Sequence, residues 1–425
     1  MIPNLKELVD ENIISQETAD NIVDYYHAKQ NKAPNRLVAI FGIIGAVLIG
    51  LGIILIIAHN WDNLSRFTKS ILAFLPLVIG QIACAYTLIK KKDEKVWLET
   101  ASTFLFFGVG ASISLISQIY HINGNITDFL FTWMVLTLPQ IYILNSSTAA
   151  LWYITGITYY AVVLGFDHYP STIPVWYWIL LLGVVPHYFS LLKNSPMRNY
   201  TILLNRLFPV SILVVLATCA RSNEELMFIS YMSLCSAFFI IGSHPVFTTN
   251  EKQKSIYTVL GRLGIIITLI PLTFEDIWKN LFNRIETFPG LLFRPEFISV
   301  VATTLLATYV LIKHDHLLKN QPTSIFKYSF VVFILLFFSA AISPKLAEIL
   351  SNLMLLAIGI RIINEGIKNY HLGMLNFGLL VIATDILAKF FDTEISFVIR
   401  GLSFIGLGIL FFAANYLLIQ KKKAQ

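Results

Sequence analysis

The chain has 425 residues, of which 56% are hydrophobic and 13% are charged, with a formal net charge of +6 at pH 7. An ordinary soluble domain carries roughly 25% charged residues, and one soluble core of this length could not bury so much apolar surface. A soluble globular protein is therefore excluded. The small positive charge lies in loops and at the C-terminal end, which indicates membrane topology, and we expect no nucleic-acid partner.

Motifs for common catalytic and energy-coupling chemistry are absent from the sequence. It contains no GxxxxGK[ST] phosphate loop, no GxSxG and no HExxH, so we predict no ATP-driven motor and no cofactor. Cys84, Cys219 and Cys235 all lie inside apolar runs without metal-ligand spacing. We expect them to behave as small buried hydrophobic residues.

The first part of the chain, residues 1–33, is polar and is predicted to form a small cytoplasmic helical hairpin over residues 4–30. Apolar side chains recur at helical spacing on both sides of a turn at residues 12–15, and Ser15 is a suitable N-cap for the second helix. The hairpin is too small for catalysis, but it is large enough to bind a cytoplasmic partner protein.

Long apolar segments fill the rest of the chain. A helix needs about 20 apolar residues to cross roughly 30 Å of hydrocarbon, and about fourteen segments meet this requirement. The predicted spans are 37–59, 68–89, 101–120, 128–145, 147–166, 173–192, 201–220, 224–243, 256–274, 297–313, 325–343, 346–364, 371–391 and 397–419. Five of them form an N-terminal membrane region, 37–166, and nine form a C-terminal region, 173–419. The predicted fold class is all-α, a polytopic transmembrane helical bundle.

The basic residues orient this bundle. With the N-terminus in the cytoplasm, basic clusters alternate with charge-poor loops as the positive-inside rule requires, so both termini and the basic tail 420–425 are predicted to be cytoplasmic. Arg206, Arg262 and Arg361, near the inner ends of their spans, are interpreted as headgroup anchors. Residues near 275–290 place Trp278 and Phe282 on one side, which predicts a helix in the outer interface. An ordinary long loop is the alternative.

Three stretches resemble a known family. They are Leu8-Val9 with Ile13-Ile14-Ser15-Gln16-Glu17-Thr18-Ala19, Ala58-His59-Asn60-Trp61-Asp62, and Gly108 with Ser117-Gln118-Ile119-Tyr120-His121. Over about residues 4–165 the chain resembles the bacterial predicted membrane proteins of domain of unknown function 2157. His59 departs from that pattern, where a small residue usually precedes the asparagine. The resemblance implies a bacterial cytoplasmic (inner) membrane location and brings no activity.

Polar residues meet at the outer ends of two predicted spans. The first and third spans both run outward, which brings two polar clusters to the same membrane face. We predict an outward-facing ligand pocket, which would bind a small polar or lipid-like molecule. Its predicted residues are His59, Asn60, Trp61, Asp62, Gln118, Tyr120 and His121. The alternative is that the polar residues cap helix ends, the aromatic residues belong to the interfacial belt, and the histidines face water.

The same face also carries side chains that could bind a metal ion. His59, Asp62, His121 and Asp128 are ligand types that zinc accepts. They are spread over three helix ends without paired spacing, so no metal is predicted.

Charged residues mark a second candidate site near the outer ends of the last three spans. Asp385 lies within the thirteenth predicted span with Lys389 four residues later, Arg400 begins the next span and Glu348 begins the twelfth. Charges at membrane depth cost about 2.5 kcal/mol or more unless they face protein or water. We predict either a structural ion pair between Asp385 and Lys389 or a proton- or ion-coupling site.

These patterns favour a secondary transporter or a solute- or lipid-handling protein over an enzyme, and no catalytic residue is assigned. The expected partners are the lipid bilayer, a small ligand, and a cytoplasmic protein bound through residues 1–33. One alternative is a scaffold or envelope sensor that recruits its partner through the hairpin. A second is an intramembrane enzyme acting on lipid or glycan.

Overall fold

A computed structural model describes the chain over most of its length. The described residues are 9, 11, 13–22, 61–167, 172–196, 198–221, 224–245, 247, 255–283, 292–318, 325–390 and 396–423. Within them every regular element is a helix, and no β-strand is present. Most of the predicted hairpin, the whole first span 37–59, and the residues His59 and Asn60 lie outside the described residues.

The chain divides into two units, Met1–Ala73 and Phe74–Gln425, which are described separately. In the first unit, residues 16–22 are helical, and the amide of Thr18 donates a hydrogen bond to the Ser15 hydroxyl at 3.2 Å. Ser15 therefore caps this helix as predicted. Ser65 does the same for the next helix, because its hydroxyl accepts a 3.2 Å hydrogen bond from the amide of Thr68.

The helices from residue 66 onward follow in chain order. They are α1 Arg66–Lys90, α2 Lys95–Ile119, α3 Ile126–Ile143, α4 Ser147–Val162, α5 Val175–Asn194, α6 Asn199–Leu216, α7 Leu226–Gly242, α8 Ile256–Leu269, α9 Glu275–Asn283, α10 Pro295–Leu318, α11 Ile325–Ser339, α12 Pro344–Lys368, α13 Leu372–Phe390 and α14 Phe397–Lys423. Each predicted span from 68–89 onward coincides with one of these helices.

Length and composition support the membrane assignment. Among the described residues, 10 helices are long and apolar enough to cross a bilayer, and shorter apolar helices occur at Leu226–Gly242, Ile325–Ser339 and Phe404–Ala413. The polytopic, all-helical class is thereby confirmed. The number of spans and the side on which each terminus lies stay predictions.

Helices α2 to α6 share one apolar core. Tyr153, Ile154 and Ile157 on α4 are fully buried at its centre. The turn between α3 and α4 is as short as its sequence predicts, because Asn145 adopts a left-handed conformation with φ 46° and Ser146 immediately caps α4. This hairpin holds α4 in the middle of the first helix group.

Helices α7 to α13 form a second core, and glycines allow its helices to approach closely. A Cβ atom at Gly261 of α8 would lie 2.6 Å from the carbonyl oxygen of Cys235 in α7. Between α7 and α10, the Ser230 hydroxyl forms hydrogen bonds with Ser299 and Thr303 at 3.3 and 3.2 Å. Small residues and hydroxyl pairs are the usual means of joining helices in a bilayer, where the hydrophobic effect between helices is absent.

Two details of the second group bear on the predictions. Helix α9 occupies the first part of the segment near 275–290, but Trp278 is fully buried and donates a 2.8 Å hydrogen bond to the carbonyl oxygen of Leu272. Arg262 does not act as a headgroup anchor. Its guanidinium lies 3.1 Å from the carboxylate of Glu365 on α12 and over the ring of Phe326.

Candidate functional site

The residues predicted to line the outer pocket come from both units. Those that the structure describes have contacts and backbone geometry that neighbouring residues of the same unit account for. In the first unit, Trp61 is half-buried at the start of a 3₁₀ turn, with the amine of Lys69 at 5.7 Å from its ring, and Asp62 is exposed. This arrangement is compatible with an interfacial tryptophan held by a neighbouring cation. The pocket itself stays a hypothesis.

In the second unit, Gln118, Tyr120 and His121 form the C-terminal end of α2, and all three are exposed. His121 has φ 51°, and the following amide, that of Ile122, donates a 2.9 Å hydrogen bond to the carbonyl oxygen of Ser117. A left-handed residue with this backbone bond is a standard helix ending. Within the described part of the chain, no three metal-ligating side chains lie close enough to hold an ion.

The second predicted site is partly assembled. Glu348 on α12 forms an ion pair with Lys389 on α13, and the Glu348 side chain is only 6% exposed. Lys345 lies 2.9 Å from the same carboxylate and 3.4 Å from Glu275 on α9. Asp385 is buried, and its Oδ1 atom has no hydrogen-bond partner among the described residues. The ion pair of Lys389 thus crosses to another helix.

The fourth member of this predicted site, Arg400, lies in the first turn of α14, and its side chain is outside the described part of the structure. The arrangement of Glu348, Lys345 and Lys389 satisfies the requirement that a charge at membrane depth be paired. It joins the start of α12 to the end of α13 and connects them to α9.

A buried carboxylate that the sequence analysis did not single out lies at the start of α4. Glu99 on α2 accepts hydrogen bonds from the amides of Ser147 and Thr148 at 3.0 and 2.9 Å. It also accepts from the hydroxyls of Ser146 and Thr148 at 2.5 and 2.7 Å. The carboxylate thereby satisfies two amides that a helix N-terminus leaves without intrahelical partners. Its role is structural.

The second unit also contains an apolar groove of about 1140 Å³, above the roughly 300–1000 Å³ of ordinary ligand pockets. Helices α5 and α10 form its two long walls, and residues of α6, α7 and α8 form its floor. The groove therefore lies between the two helix groups, the position where ligand sites are commonly found.

The two walls run the length of the groove. Lining residues extend from Val175 to Lys193 on α5 and from Pro295 to Lys313 on α10. Each stretch rises about 27 Å at 1.5 Å per residue, close to the ~30 Å of bilayer hydrocarbon. The apolar lining residues of the walls are Val175, Trp178, Val185, Phe189, Leu192, Ile298, Ala302 and Leu306. Phe189 and Ile298 are 61% and 56% exposed, so the groove has an apolar rim that is continuous with surface meeting lipid.

Most polar groups of the lining lie at one end of the groove. The exceptions are the hydroxyls of Ser299 and Thr303, which donate hydrogen bonds to carbonyl oxygens of their own helix at 2.7 and 2.8 Å. The Tyr188 hydroxyl donates a 2.5 Å hydrogen bond to Oδ1 of Asn205 and lies 2.8 Å from the Tyr257 hydroxyl. The amine of Lys313 donates to the Tyr309 hydroxyl at 3.2 Å. Lys193 and His244 complete this set, which we call the basic end.

Helix directions show that these residues share one end. Tyr188 near the end of α5 contacts Tyr257 at the start of α8. At the opposite end, the amide of Arg221, just after α6, donates a 2.7 Å hydrogen bond to Glu296 at the start of α10. Since α5 and α6 are antiparallel neighbours, the start of α10 lies away from Tyr188. Lys313 therefore lies toward the same end as Lys193.

The arrangement suits an amphipath. Its long apolar walls can hold a hydrocarbon chain, and its polar atoms are gathered where a headgroup would lie. A small polar solute would find few hydrogen-bond partners along the walls, and burying an unpaired polar group costs about 1–3 kcal/mol in proteins. The groove is not among the predicted sites. Its lining residues on α10, Ile298, Ala302, Leu306 and Tyr309, recur at helical spacing, as lipid-facing residues also do.

The apolar helices and their packing define a multi-pass helical membrane protein. Residues 6–150 match the family described as predicted membrane protein (DUF2157), which confirms the resemblance expected from the sequence motifs. No curated protein and no solved structure shows significant similarity to the chain. The family description carries no activity.

Proposed function

We propose that this protein is a lipid-handling protein of the bacterial inner membrane, which holds one long-chain amphipath in the groove between its two helix groups. The observation that carries the proposal is the length of the groove. Its walls from Val175 to Lys193 and from Pro295 to Lys313 match the thickness of the hydrocarbon.

The chemistry of the walls favours a lipid over a polar solute. Lining side chains such as Trp178, Phe238 and Leu306 offer dispersion contacts to a flexible chain. A lipid tail gains little hydrophobic energy by moving from the bilayer into such a groove, because both environments are equally apolar. Selectivity must therefore come from the fit of the chain and from the polar end.

The proposal includes a topology. We place both termini in the cytoplasm with fourteen spans, because most of the basic residues then fall on the cytoplasmic side. The basic end of the groove, with Lys193 and Lys313, would face the cytoplasm. Reporter fusions after Lys193 and after Asp167 test this, and the same reporter response at both positions would contradict it.

Ion coupling is a further part of the functional prediction. Asp385, Glu348 and Lys389 do not line the groove, so coupling would need a movement of α12 or α13. Replacement Asp385→Asn should alter the pH dependence of lipid transfer if the site is coupled. A change in stability alone would refute the coupling prediction. The scaffold and enzyme alternatives stay predictions.

Photo-crosslinking tests the lipid-binding proposal directly. Protein in nanodiscs that contain a diazirine-acyl phospholipid should form adducts on peptides from α5 and α10. Ala302→Trp places a large ring at the middle of the α10 wall and should reduce these adducts several-fold. Leu335→Trp is the matched control, because Leu335 on α11 is 69% exposed and does not line the groove. Equal adduct yields in the two variants would refute the proposal.

A further inference from the structure

The basic end of the groove indicates the chemistry of the headgroup. We infer that the occupant is an anionic lipid whose phosphate-bearing headgroup lies between Lys193 and Lys313, with its chain directed toward Cys219 and Pro295. This inference rests on the proposed function, because it names the class of lipid that the groove selects.

Charge complementarity carries the inference. Lys193 and Lys313 line the groove, and no aspartate or glutamate is among the described residues that line it. The ammonium group of a lysine is a common phosphate ligand that acts as a point charge. A zwitterionic headgroup would add a further positive charge beside the two lysines. An anionic headgroup would add only negative charge, which complements them.

The hydroxyl groups at the same end supply directional contacts. Tyr309 accepts a 3.2 Å hydrogen bond from Lys313, so its own hydrogen is available to donate to a phosphate oxygen. Tyr188 donates its hydrogen to Asn205 at 2.5 Å. Because Tyr188 donates there, the 2.8 Å contact between the two phenols is donated by Tyr257. Hydrogen bonds thus hold the hydroxyls of Tyr188 and Tyr257 in place at the basic end.

Position in the membrane agrees with this assignment. Lys193 is at the last turn of α5 and Lys313 lies 18 positions beyond Pro295 on α10, so both amines are near one surface of the hydrocarbon. A lysine there meets the phosphate layer of a leaflet, whose anionic lipids attract basic groups. The headgroup would therefore stay at the level of the leaflet while its chain enters between α5 and α10.

The test is lipid retention measured by native mass spectrometry. The full chain is purified from nanodiscs of equimolar phosphatidylglycerol and phosphatidylcholine with the same acyl chains. The wild type should retain phosphatidylglycerol preferentially, and the double variant Lys193→Gln/Lys313→Gln should lose this preference by about five-fold per lysine. The matched control is Lys90→Gln/Lys92→Gln, which removes the same charge at exposed positions outside the groove.

The outcomes separate the two proposals. Preference lost in the groove variant and kept in the control variant supports the anionic headgroup. If the wild type shows no preference for phosphatidylglycerol, or if both double variants lose it equally, this inference is overturned. The proposed lipid groove would still stand in that case if lipid crosslinks form on α5 and α10. A wild type without retained lipid and without those crosslinks overturns the proposed function itself. A second copy of the chain in place of lipid overturns both.

Discussion

The carboxylate of Glu99 should be one of the strongest single contributors to the stability of the first helix group. It is 9% exposed and binds the amides of Ser147 and Thr148 at 3.0 and 2.9 Å. The third amide of α4, that of Ala149, donates to the Ser146 hydroxyl at 3.2 Å. The helix start thus depends on Glu99 for two of its amides.

Replacement Glu99→Ala removes the acceptor for both amides. Each buried amide left unpaired costs about 1–3 kcal/mol, and the lost anion at a helix N-terminus costs about 0.3–1 kcal/mol more. The hydroxyls can partly re-pair, since those of Ser146 and Thr148 are already 3.2 Å apart. We therefore expect the free energy of unfolding to fall by about 4 kcal/mol.

The assay is unfolding in mixed detergent micelles by titration with sodium dodecyl sulfate, followed by tryptophan fluorescence. Glu99→Gln, which keeps one acceptor oxygen, should lose less than Glu99→Ala. The control is Glu94→Ala, whose side chain is 50% exposed and pairs with Lys91 at the surface. Such a pair is worth about 0–1 kcal/mol. If Glu99→Ala were no more destabilising than this control, the helix-start argument would be refuted.

Two further predictions concern the second helix group. Lys389→Met removes the partner of Glu348 on α13 but leaves Lys345 at 2.9 Å from the carboxylate. We therefore expect a loss of about 1–3 kcal/mol, less than the cost of an uncompensated buried charge. Adding Glu348→Met should restore most of the loss, and failure to restore it would show that the pair is not the cause. Gly261→Ala should cost about 1–3 kcal/mol, because the new Cβ would lie 2.6 Å from the carbonyl oxygen of Cys235. The control is Gly406→Ala, because no described atom lies within 4 Å of the new Cβ. It should be neutral in the same unfolding titration. An equal loss of stability in the two glycine variants would contradict the packing argument.

The helices were predictable because a bilayer imposes a simple requirement on sequence. Every backbone amide in hydrocarbon must be paired, so a long apolar run can only be a helix. The turn at Asn145 was predictable for the same reason, since Asn145 and Ser146 leave room for only a reversal between two spans. Hydropathy alone carries this information.

The groove was not predictable from apolar periodicity. A side chain that faces lipid, such as Leu335, and one that lines the groove, such as Leu306, have the same chemistry and differ only in their neighbours. In a soluble protein an apolar stripe on a helix marks the side that faces the core. In a bilayer the same stripe can face either lipid or other helices, because both are apolar. Helix packing therefore decides which residues line the groove.

Long-range polar partners were missed for a related reason. Glu99 lies near the start of its helix, where a headgroup contact is equally suitable, and its partners are 47 residues or more away along the chain. The spacing of Asp385 and Lys389 favoured a pair on one helix. Close packing of α12 against α13 brings Glu348 to Lys389 instead. This packing depends on Gly359 of α12, because a Cβ atom there would lie only 2.6 Å from the Ile382 side chain of α13.

The central claim is that the groove between α5 and α10 holds a lipid chain, and a cryo-electron microscopy map of the protein in phospholipid nanodiscs tests it most directly. We predict elongated density along Trp178 and Ala302, ending in a headgroup feature near Lys193 and Lys313. A map in which protein side chains close the groove, or in which no chain-like density follows its walls, would contradict the claim.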